Sequence, residues 1–163
     1  MEKYKIIFES ENIYYIQMSE SLMNDYLKMY NDQEVQKNLF KKIYTYEQIQ
    51  NWLKKRLLDK TTCIFSMIEK STYDYIGNVE IILTNDNIGE ILISITPDKQ
   101  DKHYGTEAID TVIKYGYEKV GLEEFELYVY KNNLKAIHCY EKAGFIVDKD
   151  GITEKDIHMK HKR

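Results

Sequence analysis

The stretch NNLKAIHCYEKAGF, residues 132–145, is the first arrangement in the chain that is able to do chemistry. Counted from Asn133, the residues Ala136, Ile137 and Tyr140 fall at i+3, i+4 and i+7, so they share one face of a helix. Asn132 or Asn133 can cap that helix. The small Ala136 beside the cap leaves a low wall along which a thin ligand could lie. The Tyr140 hydroxyl stands one turn further on, where a phenol can donate a proton, and Gly144-Phe145 turns the chain back. Spacing alone favours a plainer outcome, with the Tyr140 ring packed in the core and its hydroxyl on any nearby polar group. Cys139 adjoins Tyr140 but points about 100° around the helix.

A second arrangement is ITPDKQDKHYGTEA, residues 95–108. A strand ends, a loop follows, and a helix begins near Gly105-Thr106. The first amides of a helix lack partners and carry partial positive charge, so they suit a phosphate. Gly105 lets a ligand approach the backbone closely, and Lys102 adds a point charge. On its own this segment is weak, because most loops before helices contain a glycine or a polar cap.

These two segments need elements to hold them. NIYYIQM (12–18) reads as a strand, and 4–9 can supply a short one before it. Ser19 or Ser21 can cap a helix over 21–30, with a further helical turn at 33–39. In TYEQIQNWLKKRLLD, Thr45 is an N-cap and Gln48 completes a capping box, with Ile49, Trp52, Leu53 and Arg56 at helical spacing. The segments 62–70, 75–84 and 88–96 are rich in β-branched residues and separated by Tyr73-Asp74 and Asn85-Asp86-Asn87, which predicts an antiparallel meander of three strands. A long amphipathic helix follows from Gly105, with Gly121 as its C-cap. EEFELYVYK alternates with period two as a strand, and FIVDK and EKDIHMK are two last strands sharing a turn at Asp150-Gly151. This order predicts a single α+β or mixed α/β domain, with a mostly antiparallel sheet of about seven strands and about four helices.

Composition removes several function classes. The 163 residues are 43% apolar and 31% charged, with formal net charge −4, as expected of one soluble domain. Neither Lys41-Lys42 nor Lys54-Lys55-Arg56 makes a basic face, so nucleic acid is not an expected partner. Cys63 and Cys139 form no CxxC pair, and neither a disulfide framework nor a metal site is expected. No apolar run has the length of a membrane span and no signal-peptide core opens the chain, so the expected compartment is the cytoplasm. The 15 tyrosines do not translate into a function.

Taken together, Q-x-x-x-x-G-T-E-A from Gln100 and N-x-x-A-I-x-x-Y-E-K-x-G-F from Asn133 resemble the GNAT superfamily of acetyl-CoA-dependent N-acetyltransferases. The likeness extends along the chain, and FESENIYYIQMSESLMNDYLKMYNDQEVQKNLF, YTYEQIQNWLKKRL, YIGNVEI and IGEILISITPD are similar to the RimJ/RimL branch. This resemblance implies a sheet splayed between IGEILISIT and EEFELYVYK, with acetyl-CoA in the opening. Ser94, Ile95 and Thr96 would offer backbone groups to the pantetheine arm, with an N–H near Ile95 on the thioester oxygen. The loop Gln100, Asp101, Lys102, His103, Tyr104, Gly105 and Thr106 would cradle the pyrophosphate. Asn133 and Ala136 would line the cofactor arm, and Tyr140 would protonate the departing thiolate. Glu90, or Glu80 on the neighbouring strand, would act as general base for the acceptor amine, directly or through water; exposed strand carboxylates are the equal alternative.

Two departures from the family pattern stand out. His103 and Asp101 occupy positions where the family commonly has glycine. The His103 side chain narrows the approach to the pyrophosphate and Asp101 adds like charge, which Lys102 or a protonated His103 would partly offset. The acceptor would lie between the helical segments 21–39 and 46–58 and the final strands 145–160, near Tyr26, Tyr30, Tyr44 and Trp52. A peptide N-terminus, a polyamine and an aminoglycoside all satisfy this description; 133–145 is also similar to the same helix of aminoglycoside 6′-N-acetyltransferases. The expected mechanism is direct attack by the amine, without a relay through Cys139, in a monomer or homodimer. A catalytically weak or inactive CoA-binding module is the second reading, and a partner-binding protein that keeps only the fold is the third.

Overall fold

The structure, a computed structural model, describes residues 4–39, 42–85 and 87–163. Lys41 of the basic pair and Asp86 of the predicted turn lie outside the described residues. In chain order the elements are β1 (Ile6–Glu9), β2 (Ile13–Gln17), α1 (Met23–Tyr30), α2 (Gln33–Gln36), α3 (Tyr46–Leu58), β3 (Thr62–Glu69), β4 (Tyr75–Asn85), β5 (Ile88–Ile95), α4 (Tyr104–Tyr115), β6 (Glu124–Tyr130), α5 (Leu134–Lys142), β7 (Ile146–Asp150) and β8 (Asp156–Lys162).

One eight-stranded sheet runs in the order β1-β2-β3-β4-β5-β6-β8-β7. Every neighbouring pair is antiparallel except β5–β6, the two strands joined by α4. A parallel pair needs a long crossover, and the predicted helix after Gly105 supplies it. The expected meander is β3–β4–β5, and the short strand at 4–9 forms as β1, bringing the sheet to eight strands among the described residues.

Period-two alternation sorts the strand residues onto two faces. On one face Tyr15, Phe65, Met67, Val79, Ile81, Ile91, Phe125 and Leu127 pack under Ala108, Ile109, Val112 and Ile113 of α4. On the other, Ile16, Ile64 and Ile68 pack against Met23, Tyr26 and Met29 of α1 and Ile49 and Leu53 of α3. Each buried Val, Ile or Leu contributes about 1.5–3 kcal/mol.

Local signals set the helix ends. The capping box of α3 forms as read, with the Thr45 hydroxyl accepting from Gln48 N–H at 3.2 Å and the Gln48 side chain accepting from Thr45 N–H at 2.9 Å. Asn133 caps α5, its side-chain oxygen accepting from Ala136 N–H at 3.4 Å. The α4 segment continues through a π-turn, Gly116–Val120, to Gly121 at φ +84°, a left-handed conformation that a Cβ would strain. Three expectations are corrected. Ser19 caps no helix, because its hydroxyl pairs with that of Ser21 and the chain opens there as a 3-10 turn, Glu20–Leu22, with α1 starting at Met23. The helical turn at 33–39 stops at Gln36. The turn after Asp150 is a longer loop organised by Asp156, whose carboxylate accepts from Ile152 N–H and Thr153 N–H at 2.8 and 2.9 Å.

Candidate active site

The strands β5 and β6 pair over only three rungs, Ile88/Glu124, Gly89/Phe125 and Glu90/Glu126. Beyond Glu90, β5 stays on β4 as far as Ile95, and β6 stays on β8 as far as Tyr130. The sheet therefore forks, with Glu90 and Glu126 at the apex and two strand edges lining the opening.

The β5 edge presents usable backbone groups. Thr96 N–H donates to Ile76 C=O of β4 at 2.9 Å. Backbone groups of a strand alternate sides, so Ile95 N–H points the other way, into the fork. The Ile95 carbonyl accepts from the Gln100 side chain at 3.0 Å, which occupies the acceptor and leaves the donor. Gly77 permits this close strand contact: a Cβ there would lie 2.0 Å from the Ser94 carbonyl oxygen.

The loop after β5 curls back into α4. Asp101 and His103 both take left-handed backbone conformations, φ 57° and 66°. The backbone that glycines would have formed is thus kept by two residue types that tolerate positive φ better than most. Among the described residues, no protein acceptor holds the backbone N–H groups from Asp101 to Thr106. Consecutive free amides at a helix start, turned by left-handed residues, make an anion cradle. Side chains in this loop have other duties. The Gln100 amide braces Ile95, the Thr96 hydroxyl bonds Ile76 C=O, and the Thr106 hydroxyl faces Cys139 Sγ at 3.5 Å. The Tyr104 ring is buried and its hydroxyl donates to Glu69, so only its main chain faces the loop. Glu69 also holds Lys99 at 2.6 Å, and Lys99 reaches Asp74 at 2.8 Å. This network ties the loop to the β3–β4 turn. Lys102 is exposed.

The Asp101 charge has a partner that sequence reading missed. Lys135 of α5 donates to it at 2.7 Å. No signal along the chain points to this pair, because the two residues meet only when α5 docks beside the loop.

Tyr140 is 8% exposed and belongs to the buried cluster that includes Ile91, Leu127 and Val129 of the forked strands. Its ring packs edge-on against Phe145 at 5.9 Å. Its hydroxyl has no hydrogen-bond partner among the described residues, and burial pushes the phenol well above its usual range. Such a phenol holds its proton at neutral pH and can give it up to a strong base. Burial pushes the Cys139 thiol up as well, which lowers its thiolate fraction.

The other face of the fork is acidic. Alternation puts Glu80, Glu90 and Glu126 on the same side of the sheet, toward α1 and α3. Glu80 is paired with Arg56 of α3 at 3.2 Å, and this guanidinium opposes the upward push of burial on its carboxyl. Glu90 has no ion-pair partner among the described residues; burial raises it and the Glu126 charge adds to that. Glu126 accepts from His158 at 2.8 Å. Glu126 and His158 were missed in the sequence, although the alternation Glu124, Glu126, Tyr128 in EEFELYVYK places a carboxylate on a cleft strand. Beside this face is a cavity of about 310 Å³ lined by Tyr26, Tyr30, Lys42, Tyr44, Gln48, Ile49 and Trp52, with Lys42 Nζ 5.0 Å over the Tyr44 ring. Tyr26 stacks on Trp52 at 5.5 Å and on Tyr30 at 5.2 Å, so Tyr26 is core while its neighbours form the wall. Among the described residues, no cluster of His, Cys, Asp and Glu can hold a metal ion, and no helix is long and apolar enough to cross a membrane.

Comparison with known proteins agrees with this geometry. The family model described as acetyltransferase (GNAT) domain matches residues 13–146. A spermidine N(1)-acetyltransferase of Vibrio cholerae is 27% identical over 119 residues, 71% of this chain and 68% of that protein. The Escherichia coli K12 spermidine N(1)-acetyltransferase is 38% identical over 74 residues, 44% of this chain and 40% of that protein. Among solved structures, the Vibrio cholerae spermidine N-acetyltransferase in complex with CoA and spermine superposes with a TM-score of 0.84 at 20% identity, covering 94% of this chain and 96% of that one. A GNAT-family acetyltransferase from Bacillus anthracis also reaches 0.84, at 16% identity, with coverage of 94% and 96%. The chain therefore belongs to the GNAT family and is an N-acetyltransferase with acetyl-CoA as its acetyl donor.

Proposed function

We propose that the protein acetylates a primary amine of a small polycation, of the spermidine class, by direct attack of the amine on acetyl-CoA. The observation that carries this reading is the convergence of Glu80, Glu90 and Glu126 on one face of the fork, beside an aromatic-walled cavity. Carboxylates at low exposure select cations; Tyr44 and Trp52 of the wall already carry Lys42 and Arg56 over their rings, so the carboxylates supply the selection. The names of the Vibrio and Escherichia relatives support the same acceptor class. The RimJ/RimL resemblance supports the competing acceptor, a peptide N-terminus.

In this reading the pyrophosphate lies on the amides from Asp101 to Thr106, and the pantetheine arm runs along β5 past Ser94, Ile95 and Thr96. Asn133 and Ala136 form the opposite wall. Glu90, which has no ion-pair partner among the described residues, takes a proton from the acceptor ammonium. The free amine attacks the thioester carbonyl, whose oxygen is met by Ile95 N–H. The C–S bond breaks, Tyr140 gives its proton to the thiolate, and the second proton shed by the nitrogen as the amide forms restores the phenol. Glu80, engaged by Arg56, shapes the acceptor site without taking the proton. No covalent acetyl-enzyme forms at Cys139.

Initial rates of CoA release test this with spermidine, an aminoglycoside and a short peptide with a free N-terminus. The polyamine is expected to have the highest kcat/KM, by about tenfold or more. A peptide that outruns it would turn the assignment toward N-terminal acetylation. Binding of acetyl-CoA without turnover on any of these amines would favour an inactive CoA-binding module.

A further inference from the structure

His158 is 1% exposed on β8 and has a carboxylate on each side. Its Nε2 lies 2.8 Å from Glu126 of β6, and its Nδ1 lies 3.1 Å from Asp148 of β7. Both ring nitrogens are thus within hydrogen-bond distance of a carboxylate, an arrangement that suits a ring donating an N–H to each side. The remaining groups about the ring are Tyr128, tilted against it at 4.8 Å, and Lys160, which reaches Asp148 at 3.8 Å and Glu124 at 3.1 Å. Beyond Glu126 stand Glu90, then Glu80 with Arg56.

The last rung of the fork sets Glu90 directly against Glu126. Two carboxylates at adjacent cross-strand positions repel, and a close pair of this kind tends to share a proton. A base that holds a shared proton cannot take one from an ammonium. A cation next to Glu126 removes this obstacle.

We propose that His158 is a positioning residue for the general base: clamped as a cation between Asp148 and Glu126, it keeps Glu126 and Glu90 ionised together, so the apex of the fork presents two negative charges to the incoming ammonium. The proposal rests on the acetyltransferase reading with Glu90 as base. It also gives Glu126 a task, as the second anchor for the acceptor cation. His158 does not touch substrate and transfers no proton; a ring so enclosed cannot turn over to reset itself in each cycle.

The test is the pH profile of kcat/KM for spermidine in wild type, His158→Gln and Glu126→Gln. The amino groups of spermidine remain mostly protonated through neutral pH, so the acid limb reports ionisation of the base. With His158→Gln the limb is expected to move up by about one to two pH units, with activity recovering at high pH. With Glu126→Gln it is expected to move down, while KM for spermidine rises. Asp148→Asn, on the exposed edge strand, moves the limb up by a smaller amount and serves if His158→Gln does not fold. Opposite shifts support the role. A uniform loss at all pH values, or limbs that stay in place in both His158→Gln and Asp148→Asn, would overturn it and leave the acetyltransferase reading intact. Wild type without turnover on any amine would overturn that reading, and this inference with it.

Discussion

Asp101 and His103, at the start of α4, stand at φ 57° and 66° in a segment whose amides have no protein partner among the described residues. A non-glycine residue in this conformation costs about 1–2 kcal/mol, less for Asp, whose short polar side chain bonds locally. Glycine returns about 0.4–1 kcal/mol of that through greater freedom of the unfolded chain. His103→Gly should therefore stabilise by about 0.5–1 kcal/mol, and Asp101→Gly by less. Asp101→Gly also removes the pair with Lys135, whose partners are 70% and 76% exposed, so that loss is small. For a chain of this size the double variant should raise the thermal midpoint by about 2–4 °C. Binding of acetyl-CoA should tighten by about two- to tenfold, since Asp101 no longer opposes the phosphates and Lys135 is released toward them. Thermal unfolding and calorimetric titration with acetyl-CoA read both effects. A lower midpoint together with weaker binding of acetyl-CoA would refute the reasoning, because the two side chains would then be supporting the cradle.

Other expected outcomes follow from the same geometry. Tyr140→Phe should reduce kcat by about 10²–10⁴-fold while acetyl-CoA affinity in calorimetry stays unchanged; equal losses in both would mean the ring only packs. Glu90→Gln should reduce kcat on the same scale, whereas Glu80→Gln should mainly destabilise, by about 1–3 kcal/mol in denaturant unfolding, because Arg56 loses its ionised partner; the reverse pattern would make Glu80 the base. Hydrogen bonds from Lys99, Tyr104 and Thr72 lower the Glu69 carboxyl from 4.5 to about 2. Its stabilising effect is therefore complete above pH 4.5 and fades as pH falls toward 2. Stability curves of wild type and Glu69→Gln should converge across that acid window, and parallel curves would contradict the network.

Much of the scaffold could be read in the chain because its signals are local. Thr45 and Gln48 cap α3 in the predicted way, Gly121 ends the α4 segment, and the β-branched runs form the meander β3–β4–β5. Local signals failed where neighbours decide. Ser19 has the right chemistry for a cap, yet its hydroxyl bonds Ser21. Tyr104 sits in the phosphate loop by sequence, but its side chain turns into the structure to reach Glu69. The absence of glycine at 101 and 103 was visible; the retention of the left-handed backbone was not, because residue type alone does not fix φ. Charge partners were the least visible. Lys135–Asp101 and Glu126–His158 each join elements more than thirty residues apart in the chain, 34 and 32 residues respectively.

Thermal unfolding with and without acetyl-CoA reports cofactor binding at the fork. The fork and its loop should bind the cofactor through backbone amides despite Asp101 and His103. At a hundred times its Kd a ligand adds about 2.7 kcal/mol, which for this chain is a rise of about 5–10 °C in midpoint. That rise would support the cradle as the cofactor site. An unchanged midpoint at millimolar acetyl-CoA would contradict the account at its centre.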